Sequence, residues 1–125
     1  KSDLHTLCLA AIDGKLDTVT ADWDSRAALG VVMAAGGYPD EYRKNDVITG
    51  IDDANASDLK VFHAGTAIND NNEIVTSGGR VLCVTALGEN VTAAQKRAYE
   101  GVAKINWDEV YYRTDIGHRA VSREK

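Results

Sequence analysis

The chain has 125 residues and a mass of 13.5 kDa, enough for one domain. Hydrophobic residues make up 44% and charged residues 26%, the balance of an ordinary globular domain, and no apolar run approaches the roughly 18 residues that a membrane span needs. A net charge of −5 argues against a nucleic-acid binder that works by neutralising phosphates, and a single proline with no Ser-, Gln- or Lys-rich tract argues against disorder.

Ser2 or Asp3 caps a predicted helix whose apolar residues, Leu4, Leu7, Cys8, Ala11 and Ile12, follow the spacing of one helix face. Gly14 ends it. The polar stretch from Lys15 to Asp24 offers Leu16, Val19 and Trp23 as anchors. Arg26 to Ala35 is short, almost wholly apolar and partly β-branched, the pattern of a strand buried on both faces. Gly36-Gly37-Tyr38-Pro39 stops it. Asp40 to Asp58 reads mostly as loop, with Val47-Ile48 as a short edge strand.

Lys60 to Thr66, Glu73 to Thr76 and Arg80 to Leu87 read as three strands. The turn signals Asn69-Asp70-Asn71-Asn72 and Ser77-Gly78-Gly79 separate them, which predicts an antiparallel meander. A second helix follows, capped by Asn90 or Thr92. Its apolar face is Val91, Ala94, Ala98, Val102 and Ile105, with Gln95, Lys96, Arg97 and Glu100 pointing outward. Trp107 to Tyr112 reads as a last strand, and the tail beyond it is polar with basic patches. The expected class is α+β, an antiparallel sheet with flanking helices.

Cys8 and Cys83 are the only cysteines, which excludes a disulfide scaffold and a four-cysteine zinc site. Each lies in an apolar run and reads as a buried reduced thiol. His5, His63 and His118 are far apart, and no metal-ligand spacing, nucleophile elbow or phosphate-binding Gly-rich signature occurs. No catalytic residue and no metal ligand is therefore assigned within the chain.

Three features stand above this background. His63-Ala64-Gly65-Thr66 ends a hydrophobic strand, either as a Gly bulge or as the rim of a ligand cleft. Gly78-Gly79-Arg80 is either a tight hairpin with an exposed Arg or a close backbone approach to a ligand. Arg113-Thr114-Asp115-Ile116-Gly117-His118-Arg119 places two Arg beside a Gly. The guanidinium fork suits phosphate or carboxylate, although Asp115 can pair with either Arg and make the segment structural. The cleft-rim candidates are His63, Gly78, Gly79 and Asp115.

Along nearly its whole length the sequence resembles the C-terminal part of the glycinamide ribonucleotide synthetases of the bacterial single-enzyme type. The resemblance rests on Lys1-Ser2-Asp3-Leu4, on Trp23-Asp24 with Arg26-Ala27, and on Gly30-Val31-Val32-Met33-Ala34-Ala35-Gly36-Gly37-Tyr38-Pro39. It continues through Val61-Phe62-His63-Ala64-Gly65-Thr66, Gly78 to Gly88 and Ala94-Gln95-Lys96-Arg97-Ala98-Tyr99, and closes with Arg113 to Ala120. Seven pieces in the right order are specific where one would be weak.

The resemblance implies an ATP-grasp ligase that joins glycine to 5-phosphoribosylamine in purine synthesis, with ATP and magnesium (or manganese) held by residues outside this chain. It implies residues 1–20 as the terminal helix of the ATP-grasp domain and residues 21–125 as the ligase C-terminal domain with its rudiment single hybrid motif. The implied partners are the N-terminal and ATP-grasp domains of the same polypeptide and the substrates glycine and phosphoribosylamine, in the cytoplasm, with no nucleic acid and no membrane. By the same similarity Arg113 and Arg119, with Arg80 third, are the substrate-phosphate candidates, for the ribose 5-phosphate. The chain then reads as a piece of a longer polypeptide, inactive alone. The alternative is a non-catalytic binding or interaction module that reuses the same domain.

Overall fold

Asp3 starts the first helix, α1 (Leu4–Ile12), by accepting from the amides of His5 and Thr6 at 3.2 and 3.3 Å. The computed structural model describes residues 1–124. The chain leaves α1 through Gly14 at φ +67°, the left-handed conformation that glycine adopts without cost. None of the α1 residues is buried, so its expected apolar face has no cover among the described residues. Two of the three expected anchors also fail: Trp23 is 79% exposed and Leu16 57%, and only Val19 is partly covered. The segment is tied back by Ser2, whose amide donates to the Asp22 carbonyl and whose Oγ accepts from the Asp22 amide.

The main sheet is antiparallel, in the order β2 (Leu59–His63), β5 (Arg80–Gly88), β1 (Ala27–Ala34), β6 (Tyr111–Tyr112). Leu29, Val31 and Met33 of β1 face Ala86, Val84 and Leu82 of β5, and all six are buried. The intervening positions, Gly30 and Val32, point to the opposite face. That face is open: Val32 is 43% exposed and Phe62 52%. The expectation of a strand buried on both faces is therefore corrected. Helix cover comes to one face only, as in antiparallel sheets, and the apolar run of β1 alone did not reveal this. Cys83 lies on the open face, half-buried beside Thr85, and Cys8 is exposed on α1, so neither thiol is the buried one expected.

The three central strands do not form a meander. β2 pairs with β5, and the hairpin β3 (Thr66–Ile68) and β4 (Ile74–Thr76) is nested between them as a separate two-stranded sheet. Gly65 and Gly78 make this possible. The amides of Ala64 and Gly65 donate to the Val81 carbonyl, while Ser77 and Gly78 donate to the Gly65 carbonyl. A Cβ on Gly65 would stand 2.8 Å from the Gly78 Cα and 2.6 Å from the Arg80 carbonyl oxygen, so the neck closes only with glycine at 65, and a Cβ on Gly78 would sit a tight 3.2 Å from the Gly65 Cα. Val47 bridges Val75 at the edge of the hairpin, as expected of a short edge segment. The loop that follows contains a single helical turn, α2 (Ile51–Ala54), whose Ile51 and Ala54 are buried.

Asn90 caps the principal helix, α3 (Val91–Val102), by accepting from the Ala93 amide at 2.8 Å. Ala94, Ala98, Gly101 and Val102 form its buried face, over β1 and β5. Small residues let the helix lie close: a Cβ on Gly101 would stand 2.5 Å from a Leu59 methyl. The helix ends at Val102, and Ile105 is buried beyond it. Of the expected last strand only Tyr111 and Tyr112 pair, against Ala34 and Met33, while Trp107 is buried in the preceding turn. A short helix, α4 (His118–Val121), follows.

Candidate functional site: a basic hollow beside the principal helix

After Tyr112 the chain leaves β6 and crosses α3. The Tyr99 hydroxyl donates to the Arg113 carbonyl at 2.7 Å and accepts from the Ile116 amide at 3.0 Å. Gln95, one turn earlier, donates its side-chain N–H to the Ile116 carbonyl at 2.6 Å. Gly117, at φ +83°, then turns the chain into α4. A side chain there would be strained by the positive φ, and its Cβ would stand 2.5 Å from the Leu29 Cδ1, which would have to shift.

The result is an open hollow of about 550 Å³ lined by Arg113, Asp115, His118, Arg119 and Arg123. Asp115 fills the fork of Arg113 with two hydrogen bonds of 2.9 and 2.7 Å. The Arg113 guanidinium thereby holds the Asp115 carboxyl below the usual carboxylate range, and Asp115 raises Arg113 in return. His118 Nδ1 lies 2.9 Å from the Asp115 carbonyl oxygen and 3.8 Å from its carboxylate. Arg119 and Arg123 have no ion-pair partner among the described residues. Two uncommitted guanidiniums on a chain of net charge −5 give the hollow a local cationic field.

The far end of the tail is fastened to the same helix. Glu124 accepts from the Val91 and Thr92 amides at 2.6 and 3.0 Å and from the Thr92 hydroxyl at 2.8 Å. These donors lower the Glu124 carboxyl pKa and occupy the positive end of α3.

Arg80 lies elsewhere. With Gly79, Tyr38, Gly65, Val32 and Cys83 it lines a second open hollow of about 520 Å³. Register separates the two. Gly117 packs on Leu29 near one end of β1, whereas Arg80 pairs with Ala34 at the other. Five residue steps of strand separate Leu29 from Ala34, roughly 17 Å at the usual rise. Gly79 is buried under the Tyr38 ring, with no space for a side chain, and Gly78 is packed on Gly65. His63 ends β2, exposed, with Nδ1 3.1 Å from the Thr66 hydroxyl.

The structure thus brings Arg113, Asp115 and Arg119 together and leaves Arg80, His63, Gly78 and Gly79 at the opposite end of the sheet. Sequence reasoning missed Arg123, which the spacing Arg119, Arg123 pointed to, and it missed Gln95, Tyr99 and Glu124. Gln95 and Arg97 were read as outward solvent-facing residues, but Gln95 grips Ile116 and Arg97 forms a two-point pair with Asp58 at 2.9 Å for each bond. Only a contact distant in sequence could reveal either role.

Among the described residues no three or more His, Cys, Asp or Glu side chains gather as a metal site. The acidic groups nearest the hollow, Asp115 and Glu124, are already committed to Arg113 and to the α3 amides. The hollow therefore offers guanidiniums suited to an anion and, among the described residues, no free carboxylate to hold a magnesium ion.

The chain is a one-sided antiparallel α+β domain with a basic hollow beside its principal helix. The chain belongs to the family described as phosphoribosylglycinamide synthetase, C domain, whose model matches residues 28–119. It is 61% identical over 125 residues to a phosphoribosylamine–glycine ligase of Escherichia coli O6:H1 and 60% identical to that of Allochromatium vinosum. In each case all of this chain is covered and 29% of the relative, so the chain spans less than a third of their length. Among solved structures, a phosphoribosylamine–glycine ligase from Thermotoga maritima matches with a TM-score of 0.69 and 32% identity, over 87% of this chain and 27% of that one.

Proposed function

We propose that the chain is the C-terminal part of a phosphoribosylamine–glycine ligase and that its basic hollow takes the 5-phosphate of phosphoribosylamine. The reaction joins the glycine carboxyl carbon to the phosphoribosylamine nitrogen as an amide, driven by ATP in the cytoplasmic synthesis of purines. ATP and magnesium are assigned to residues outside this chain, and so are the ATP-grasp and N-terminal domains with which it acts. In this reading residues 1–20 end the ATP-grasp domain and residues 21–125 form the ligase C-terminal domain. The unburied α1 and a family match that starts at residue 28 support that boundary.

The observation that carries the reading is the pair Arg119 and Arg123, without an ion-pair partner among the described residues, beside an Arg113 already gripped by Asp115. A phosphate dianion entering the hollow meets two guanidiniums directly and competes with Asp115 for the third. Arg80 is proposed as a separate anion contact in the second hollow, with His63, Gly78 and Gly79 at its rim and Asp115 at the rim of the first.

Titration calorimetry on the whole polypeptide tests the phosphate assignment. Ribose 5-phosphate is expected to bind measurably and to weaken as salt is added, while ribose gives no binding heat. Equal binding of both sugars, or none of either, contradicts it.

A further inference from the structure

The basic segment carries its cations on backbone that has little cover of its own: Arg113, Thr114, Asp115, His118 and Arg119 are all exposed. α4 is only four residues long, too short to hold a geometry by itself. What fixes the segment is α3. The Ile116 peptide is gripped on both sides, its N–H by the Tyr99 hydroxyl and its carbonyl by Gln95. The same hydroxyl donates to the Arg113 carbonyl, so one oxygen spans the loop from Arg113 to Ile116. Gln95 and Tyr99 are four residues apart and share one flank of the helix.

We propose that Tyr99 and Gln95 are positioning residues for the substrate phosphate: they hold the Arg113–Ile116 backbone so that Arg113, Arg119 and Arg123 converge on one anion. Neither side chain touches the phosphate. The proposal rests on the reading that the basic hollow is the phosphate site.

The geometry explains why two hydrogen-bonding side chains serve here better than apolar packing. Ile116 packs against the core but is only partly buried, and its side chain alone does not fix both faces of its peptide. A rotation at Ile116 moves Arg113 on one side and, through Gly117, Arg119 on the other. The bonds to both faces of one peptide remove that freedom before substrate arrives, which reduces the ordering cost that binding must meet. Glu124, by closing the far end of the tail on Val91 and Thr92, leaves Arg119 and Arg123 on a segment anchored at both ends.

The test uses the full-length ligase with three variants, Tyr99→Phe, Gln95→Ala and Arg119→Ala, in steady-state assays that vary phosphoribosylamine, glycine and ATP in turn. Tyr99→Phe keeps the ring and removes only the hydroxyl, and Gln95→Ala acts from a half-buried helix position, so one variant remains informative where the other unfolds. The expected result is a rise of about 5- to 20-fold in KM for phosphoribosylamine in both, as lost hydrogen bonds of ordinary strength give, with kcat and the other two KM values within about twofold. A merely structural role lowers kcat and shifts all three KM values together. Arg119→Ala separates the two ideas. A rise for Arg119→Ala with wild-type KM values, or uniform losses, in Tyr99→Phe and Gln95→Ala overturns the positioning role alone. An unchanged KM in Arg119→Ala overturns the phosphate site and the positioning role with it.

Discussion

Arg119→Ala in the full-length ligase is expected to raise KM for phosphoribosylamine by about 10- to 150-fold, the equivalent of a lost charge-assisted hydrogen bond of about 1.5–3 kcal/mol. KM for glycine and for ATP should stay near wild type, because those substrates carry no group assigned to this hollow. Arg119 is the cleaner probe of the two flanking arginines. Among the described residues it has no ion-pair partner to strand, whereas Arg113→Ala removes a cation and also leaves the Asp115 carboxylate without that partner, beside the proposed phosphate position. Arg113→Ala should therefore raise the same KM, and adding Asp115→Asn to it should recover part of the loss. Steady-state kinetics with each substrate varied in turn checks both variants, and equal effects on all three substrates would remove the arginines from the phosphate site.

The largest stability effect is expected in the middle of the sheet. Met33 is fully buried, paired with Leu82 on β5 and with Tyr112 on β6. Met33→Ala leaves a cavity between three strands and should cost about 3 kcal/mol. That corresponds to a fall of roughly 10 °C in Tm for a domain of this size. Urea unfolding should show a lower midpoint with an unchanged slope. An unfolding free energy within about 0.5 kcal/mol of wild type would mean that the core around β1 repacks freely, against the close fit of α3 on Leu59 and Val84. β6 leads directly into Arg113, so the same change also bears on the hollow: loosening β6 frees the start of the basic segment.

The local rules of the sequence carried well where the signal was itself local. Asn90 before an apolar-periodic run is a cap in the structure, and so is Asp3. Gly14 turns the chain out of α1, and Asn69 to Asn72 makes the turn that its composition predicts. What failed depended on partners distant in sequence. The run from Arg26 to Ala35 is apolar on both sides, yet only the side carrying Leu29, Val31 and Met33 is covered. Three strands with tight turns suggested a meander, but the Gly65–Gly78 contact folds one hairpin inside another. Cys8 and Trp23 looked like core residues because their side chains are apolar, and both are exposed.

The candidate site divides in the same way. Two Arg flanking a Gly on an acidic chain were legible as an oxyanion motif, and Arg113, Asp115 and Arg119 do share a hollow. The commitment of Arg113 to Asp115 was one of two open pairings in the sequence, and the structure selects it. Arg80 joins them in the sequence as a third candidate, through the resemblance and its place after Gly78-Gly79. Its place at the other end of β1 follows from strand register, which the sequence does not fix without the nested hairpin. Gln95 and Tyr99 were invisible as functional residues because their role lies in the backbone they hold, 14 to 21 residues away.

The most direct test of the assigned function is ADP release by the whole polypeptide that carries this chain, with glycine, phosphoribosylamine and ATP each omitted in turn. Sustained ADP release that requires glycine and phosphoribosylamine together, and that falls at limiting phosphoribosylamine when Arg119 is replaced by alanine, is the predicted result. ADP release that proceeds without phosphoribosylamine, or no ligation with all three present, would contradict it.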